Sequence, residues 1–430
     1  MPIPRRVGGE QRHPFRNIGG PLVILRAAAR LGPVPQLEYA TGRAATLKQT
    51  RNESFIPTPA DSDTSYPQYY WLPAGTTDYI VSESTCSSDG TLKYYTLRSG
   101  HRVYQHDSDV SANAAILKNE LLGAELKSEG RFTYFTVAVT QKTPFTVKMN
   151  GLYLGNATDT TGVSKNFKSV SVTFSSATGA PAVFTEGNPL FSGVSFAENA
   201  ETGTVTYTFT LRRAGAFGGF NSYYEKDGNL VIRFHNPVDA SNGRLDGMVI
   251  CLDAGHGGYD TGATGNGLSE AEENVKVAKA LREKLQALGA TVYVTREEQF
   301  YFTDGVRVNR DTERVHRLEL IAACDPDLLI SVHHNYYENT SANGTEALYF
   351  YGFNQALAQK VSDSMAAVSG MKNRGGKYQN VFVYRNHDFM SILLECGFLS
   401  NKNDASWLSA SGNTDKLAGA VVSAIVDYFG

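Results

Sequence analysis

Cysteine is scarce in this chain: its 430 residues hold four, Cys86, Cys251, Cys324 and Cys396, with no paired spacing. That excludes a disulfide framework and a zinc ribbon and predicts buried thiols, three of them in or beside core elements of the C-terminal part. No apolar run approaches the length of a membrane span, so none is expected. Charge of either sign is nearly balanced, with a formal net charge of −3, which argues against nucleic acid as the main partner. Aspartate is missing from residues 1–59, which hold several arginines (Arg5, Arg6, Arg12, Arg16, Arg26, Arg30). Their only apolar stretch, PLVILRAAARL, is broken by Arg26 and Arg30 and is no convincing secretory signal peptide. Residues 1–59 are therefore expected to be a basic, flexible tail.

The length suits two domains of ordinary size besides that tail. Between residues 60 and 240, short runs rich in Tyr, Thr, Val and Phe (TLKYYTL, RFTYFTVAV, FTVKMN, SVSVTF, GTVTYTFTLRR, NLVIRF) alternate with Gly, Asn, Asp and Ser turns. This pattern predicts a β-rich accessory domain of antiparallel strands, with one helix interrupting it at Ala112 to Leu126. Aromatic rings on such strands usually form the core, although they could stack on glycans. The polar, Gly-containing SNGRLDG, residues 241–247, reads as a linker to a domain over 248–430.

Three segments of that last domain share one grammar. Val249 to Leu252, Leu328 to Val332 and Ile392 to Leu394 are short apolar runs without polar alternation, typical of strands covered on both faces, and each is followed by a polar residue: His256, His333 and Glu395. Open α/β sheets bind ligands beyond the carboxyl ends of their strands, so residues distant in sequence can converge on one rim. The expected fold is an α/β catalytic domain with a mostly parallel sheet flanked by helices, preceded by the β-rich domain.

A fourth candidate opens the helix after the first strand. Val275, Ala278, Leu281, Leu285 and Leu288 recur at three- and four-residue steps and Gly289 is a natural stop, predicting a helix over roughly Glu270 to Leu288. Ser269 as N-cap with Glu272 three residues on fits a capping box. Glu270 is then free to turn toward the rim, and Glu273 is expected to face solvent. A lone histidine is more often a hydrogen-bonded structural residue, and glutamates at a helix start usually just favour the dipole. Taken jointly at strand ends, two imidazoles and one carboxylate with a water in the fourth position make a catalytic zinc set. His334 points away from His333 if the strand continues and reads as a supporting or structural residue.

In residues 248–430 the motifs DAGHGG (Asp253 to Gly258), GLSEA (Gly267 to Ala271), Thr295-Arg296, SVHHN (Ser331 to Asn335), GTEALYFY (Gly344 to Tyr351) and LLECGFLSN (Leu393 to Asn401) follow one another. In order and spacing this resembles the zinc-dependent N-acetylmuramoyl-L-alanine amidases, which cut bacterial cell-wall peptidoglycan. Ala254 stands where the family usually has proline, and the region of Met390 also lacks a common proline; neither supplies a chemical group. The resemblance implies one Zn2+ held by His256, Glu270 and His333, with Glu395 as the catalytic carboxylate. It also implies an extracellular or cell-wall location, and a short Asn335–Gly344 loop without the long insert that occludes the metal in some members.

Zinc lowers the pKa of water and polarises an amide carbonyl, and Glu395 would take the water's proton and pass it to the departing amine. The expected substrate bond joins the lactyl group of N-acetylmuramic acid to L-alanine of the stem peptide. Asn335 could orient a ligand or the substrate, or cap a turn; Arg296 and Arg307 are expected in structural ion pairs. Two alternatives remain open: another zinc peptidase acting on the stem peptide, and a non-catalytic wall-binding protein. TYTFTLRRAGAFGGFNSYYEKDGNLVIRFHNP, residues 206–237, faintly resembles the small β domains that hold amidases on the wall.

Overall fold

The computed structural model describes residues 42–49, 51–52, 71–85, 93–112, 117–150, 167–309, 312–385 and 388–430. They form two compact units, with the chain passing from one to the other at Asn236–Pro237. Most of the expected basic tail and Cys86 lie outside the described residues. Part of the tail's expected span is folded: Ala44–Leu47 is a strand inside a five-stranded sheet, paired on one side with Thr77–Thr85 and on the other with Ser108–Ser111. The reason is apolar content, because Ala44, Ala45 and Leu47 are all buried.

Besides a two-stranded pair, Arg51–Asn52 with Trp71–Leu72, the described residues of the first unit form two further, larger sheets. One has four strands in the order Phe145–Asn150, Ser169–Ser175, Thr204–Leu211, Phe191–Asn199. The other has five, in the order Ala177–Thr178, Asn119–Glu129, Phe132–Val139, Leu230–His235, Phe220–Tyr224. Period-two burial in FTYFTVAV and TVTYTFTL points alternate side chains inward, and the inner rings meet across the gap. Phe135 lies 5.0 Å from Phe209 and 5.1 Å from Tyr207 between ring centroids, and Phe191 lies 5.4 Å from Phe234. These aromatics are core residues of a β-sandwich.

Of the helix expected over Ala112 to Leu126, residues 113–116 lie outside the described residues and the part from Asn119 onward is strand. Asn119–Glu129 is a strand that pairs antiparallel with Phe132–Val139. Asn119 and Leu121 turn inward while Glu120 and Leu122 turn out, and Gly130, at φ +56°, makes the tight reversal. Ladder pairing along nearly the whole strand, with Asn119 and Leu121 buried at its start, overrides the helix-favouring composition of NELLGAELKSE.

The second unit is a six-stranded mixed sheet with helices. Its strands are β1 (Val249–Ala254), β2 (Thr291–Val294), β3 (Leu328–Asn335), β4 (Thr345–Tyr349), β5 (Asn373–Tyr378) and β6 (Met390–Phe398). They are ordered β2-β1-β3-β6-β4-β5. β1 runs parallel to β2 and β3, β3 to β6, and β4 to β5, while β4 runs antiparallel to β6. Central β1, β3 and β6 are buried along almost their whole lengths, as their uninterrupted apolar runs require.

The helices are α1 (Glu270–Ala287), α2 (Glu313–Cys324), α3 (Gln355–Ser369), α4 (Lys402–Ser409) and α5 (Asn413–Phe429). The inward face of α1, Val275, Ala278, Leu281 and Leu285, is buried, and α5 packs against both α1 and α3. No described helix is long and apolar enough to cross a membrane. Residues 241–247 belong to this unit and do not act as a free linker. Leu245 is fully buried and its N–H donates to the Leu288 carbonyl at 2.8 Å, because leucine gains more by docking at the helix end than by facing water. Cys251, Cys324 and Cys396 are buried free thiols.

Candidate metal centre

β1 delivers the chain into Gly255, His256 and Gly257 at the sheet rim. His256 has φ +60°, a left-handed conformation that an ordinary side chain adopts only when its surroundings enforce it. Two buried arginines do so by holding the backbone carbonyls. Arg317 Nη2 donates to His256 O at 2.7 Å, and Arg296 Nη2 donates to Gly255 O at 2.8 Å. Arg317 is itself paired with Asp253 at 2.5 Å and with Glu313. Glycine is required at position 255: a Cβ there would lie 2.2 Å from His333 Cε1 and Nε2.

Glu270, the first residue of α1, reaches the same point. It is 4 % exposed. Its Oε1 lies 3.1 Å from His256 Nε2 and 3.0 Å from His333 Nδ1, and accepts from the His334 N–H at 3.2 Å. Its Oε2 accepts from the Ala263 N–H at 2.8 Å. One donor atom each from His256, Glu270 and His333 lie within 4.8 Å of one another, so the residues expected to bind a metal do converge. The set suits a divalent cation: two imidazoles, one carboxylate, and a second-nitrogen partner for His256 in Asp260 Oδ2 at 2.9 Å, the arrangement that orients a ligating imidazole.

The charges depend on one another. Burial opposes ionisation of Glu270, but hydrogen bonds from both histidines hold its carboxyl well below the usual carboxylate range. For His256, burial disfavours the cation, yet Asp260 and Glu270 outweigh it and push the imidazole up to about 9. His334 is pushed down to about 4 by burial, and its Nδ1 lies 2.8 Å from Asn274 Oδ1. It therefore braces β3 against α1.

Glu395 stands beside this group. It is the direct partner of His333 across the parallel β3–β6 pair, so both side chains leave the same face of the sheet about 5 Å apart along the pairing direction. His333 and Glu395 lie within their strands, not beyond them, because backbone pairing runs on past the apolar segments. The buried Oε2 of Glu395 has no hydrogen-bond partner among the described residues. Burial pushes this carboxyl well above its ordinary range, Glu270 and Glu346 add to the rise, and His256 opposes it.

Several expectations at the rim are corrected. Ser269 makes no side-chain cap bond and Glu272 is exposed, so no capping box forms; the backbone N–H of Glu270 is satisfied by Ala263 O at 2.9 Å. Glu273 is buried and paired with Lys276 at 2.7 Å, because it shares the inward face with Asn274 and Val277. Arg296 bonds backbone carbonyls, and Arg307 lies over the rings of Tyr259 and Phe300. Asn335 donates to Glu346 Oε1 at 3.0 Å. Sequence reasoning assigned no role to Asp260, Asp253, Arg317 or Glu346. Only Asp260 had a local signal, a carboxylate four residues after a candidate ligand.

The family described as N-acetylmuramoyl-L-alanine amidase matches residues 250–427. The chain is 34% identical over 187 residues to the N-acetylmuramoyl-L-alanine amidase LytC of Bacillus subtilis, covering 43% of this chain and 36% of that protein. It is 30% identical over 192 residues to the germination-specific N-acetylmuramoyl-L-alanine amidase of the same organism, covering 43% of this chain and 81% of the relative. Among solved structures, the CwlD amidase from Clostridioides difficile in complex with the GerS lipoprotein is 28% identical, with a TM-score of 0.39, over 42% of this chain and 98% of that one.

Proposed function

Because this chain belongs to the N-acetylmuramoyl-L-alanine amidase family, we propose that it is a peptidoglycan hydrolase that cleaves the amide between N-acetylmuramic acid and L-alanine of the stem peptide. The observation that carries this reading is the convergence of His256, Glu270 and His333 with Glu395 in register beside His333. A cation-binding cluster and a carboxylate free of hydrogen-bonding duties then share one sheet face.

His256, Glu270 and His333 would hold one Zn2+, their nitrogen and oxygen donors being those of catalytic zinc sites with three protein ligands. When bound, zinc supplies a Lewis acid for the amide carbonyl and makes water a better nucleophile near neutral pH. Asp260 fixes the orientation of the His256 ring, and Arg296 and Arg317 fix its backbone. Glu395 accepts the proton of the attacking water and returns it to the departing amine of alanine. The cell wall is the corresponding place of action. The β-rich unit is the candidate for holding the enzyme there, through its outer surface, since its core rings are committed between the sheets.

The test is digestion of purified peptidoglycan by metal-loaded protein, with product analysis. Free muramic lactyl carboxyls together with new alanine amino termini are expected. Shortened stem peptides with the lactyl amide intact would replace this reading by a zinc peptidase, and wall binding without any cleavage by a non-catalytic binder.

A further inference from the structure

A second charged group sits next to Glu395 and has no part in the proton transfer described above. Glu346 on β4 is directly opposite Glu395 across the antiparallel β4–β6 pair, so the two side chains leave one face with their Cα atoms about 5 Å apart. Glu346 is 6 % exposed and its carboxylate is fully engaged. Oε1 accepts from Asn335 Nδ2 at 3.0 Å, and Oε2 accepts from Arg374 Nε at 2.7 Å and from Lys377 Nζ. One cation would neutralise this carboxylate; two are present, so Glu346, Arg374 and Lys377 together carry a net positive charge beside Glu395.

The geometry of Arg374 shows where that surplus is offered. Its guanidinium is tied at Nε by Glu346 and lies over the Phe398 ring, 5.0 Å from the centroid. Both contacts fix the plane of the group. Nη1 and Nη2 make no hydrogen bond among the described residues, and the side chain is 27% exposed. A guanidinium held at its Nε edge with its paired Nη edge free is preorganised for a carboxylate, which it takes through two parallel N–H···O bonds. Lysine at 377 adds a second positive charge that keeps the cluster cationic while Glu346 is ionised.

We propose that Arg374, supported by Lys377 and Glu346, binds the free carboxylate of the second residue of the stem peptide and positions the peptide so that its lactyl amide meets Glu395. This deepens the amidase reading and rests on it. A stem whose side carboxylate is converted to a carboxamide would place an NH2 against Arg374, where a charge-assisted bond is replaced by a donor facing a donor.

The experiment uses the full chain, loaded with zinc, and two soluble muropeptides differing only in whether the second residue of the stem carries a free carboxylate or a carboxamide. The parent protein is expected to favour the carboxylate by about ten- to a hundred-fold in kcat/KM. Arg374→Ala is expected to reduce that preference to within about two- to three-fold of unity, and Arg374→Lys, which keeps charge without the fork, to fall between. Zinc content and the thermal midpoint are measured alongside to separate binding from misfolding. Equal cleavage of both muropeptides by the parent overturns this inference and leaves the amidase reading standing, as does an Arg374→Ala protein that keeps the full preference. A parent inactive on both muropeptides overturns the amidase reading itself.

Discussion

Replacing Glu395 by glutamine separates the chemistry from the metal. The carboxylate makes no hydrogen bond among the described residues and its Oε2 is buried without a partner, so the change severs no contact. It also removes an ionisable group whose charged form burial, Glu270 and Glu346 all disfavour. Against this, a carboxamide brings N–H donors into a half-buried place, which costs at most about 1–3 kcal/mol. Folding and metal occupancy are therefore expected to survive. What is lost is proton acceptance, a contribution of roughly 10²- to 10⁴-fold in rate, equivalent to about 2.7–5.5 kcal/mol in the barrier. The assay pairs zinc content by elemental analysis with the rate of stem-peptide release from purified cell wall. Full zinc with a rate lowered by that factor supports the assignment. A simultaneous fall in zinc affinity would make Glu395 a fourth ligand instead. Release at the parental rate would refute both roles.

Three further outcomes follow from the same geometry. His256→Ala, His333→Ala and Glu270→Ala are each expected to lose zinc and activity together, whereas Glu272→Ala, exposed and uninvolved in capping, should keep both and change stability by no more than about 0.5 kcal/mol; stoichiometric zinc in any of the first three would break the ligand assignment. In protein stripped of metal by chelation, His256 is raised above its unfolded value to about 9. The stabilisation this gives is fully present below the unfolded value of 6.5 and is lost as pH rises through about 9. Zinc must displace that proton, so calorimetric titration should show affinity rising by up to about tenfold per pH unit between pH 7 and 9, and a flat profile would contradict the proton held there. Finally, Arg317→Met leaves Asp253 buried without its paired cation and should cost about 3–5 kcal/mol in denaturant unfolding; a loss below about 1 kcal/mol would show that the hydroxyls of Thr295 and Ser331, which both donate to Asp253 at 2.8 Å, and nearby Arg296 compensate it.

The sequence by itself determined the chemical inventory and the frame that carries it. Short apolar runs with no alternation read as strands covered on both faces, and the polar residues that follow them, His256, His333 and Glu395, are then expected near one rim. The period of Val275, Ala278, Leu281 and Leu285 likewise specified the face and extent of α1. Local pattern failed where distant contacts outweighed it. Asn119–Glu129 has helix-forming residues but is held as a strand by pairing with Phe132–Val139 along its length. Glu272 has capping spacing, yet Ser269 belongs to a two-residue strand paired with Thr264, and its hydroxyl donates to the Thr261 carbonyl. Leu245 sits in a polar, glycine-containing stretch but docks at the end of α1. Only the tertiary structure could decide which carboxylates serve whom. Asp253 and Glu313 hold Arg317, Asp260 holds His256, and Glu346 holds Arg374, because each pairing depends on strand register and on burial that raises the cost of an unpaired charge. Neither quantity is expressed in spacing along the chain.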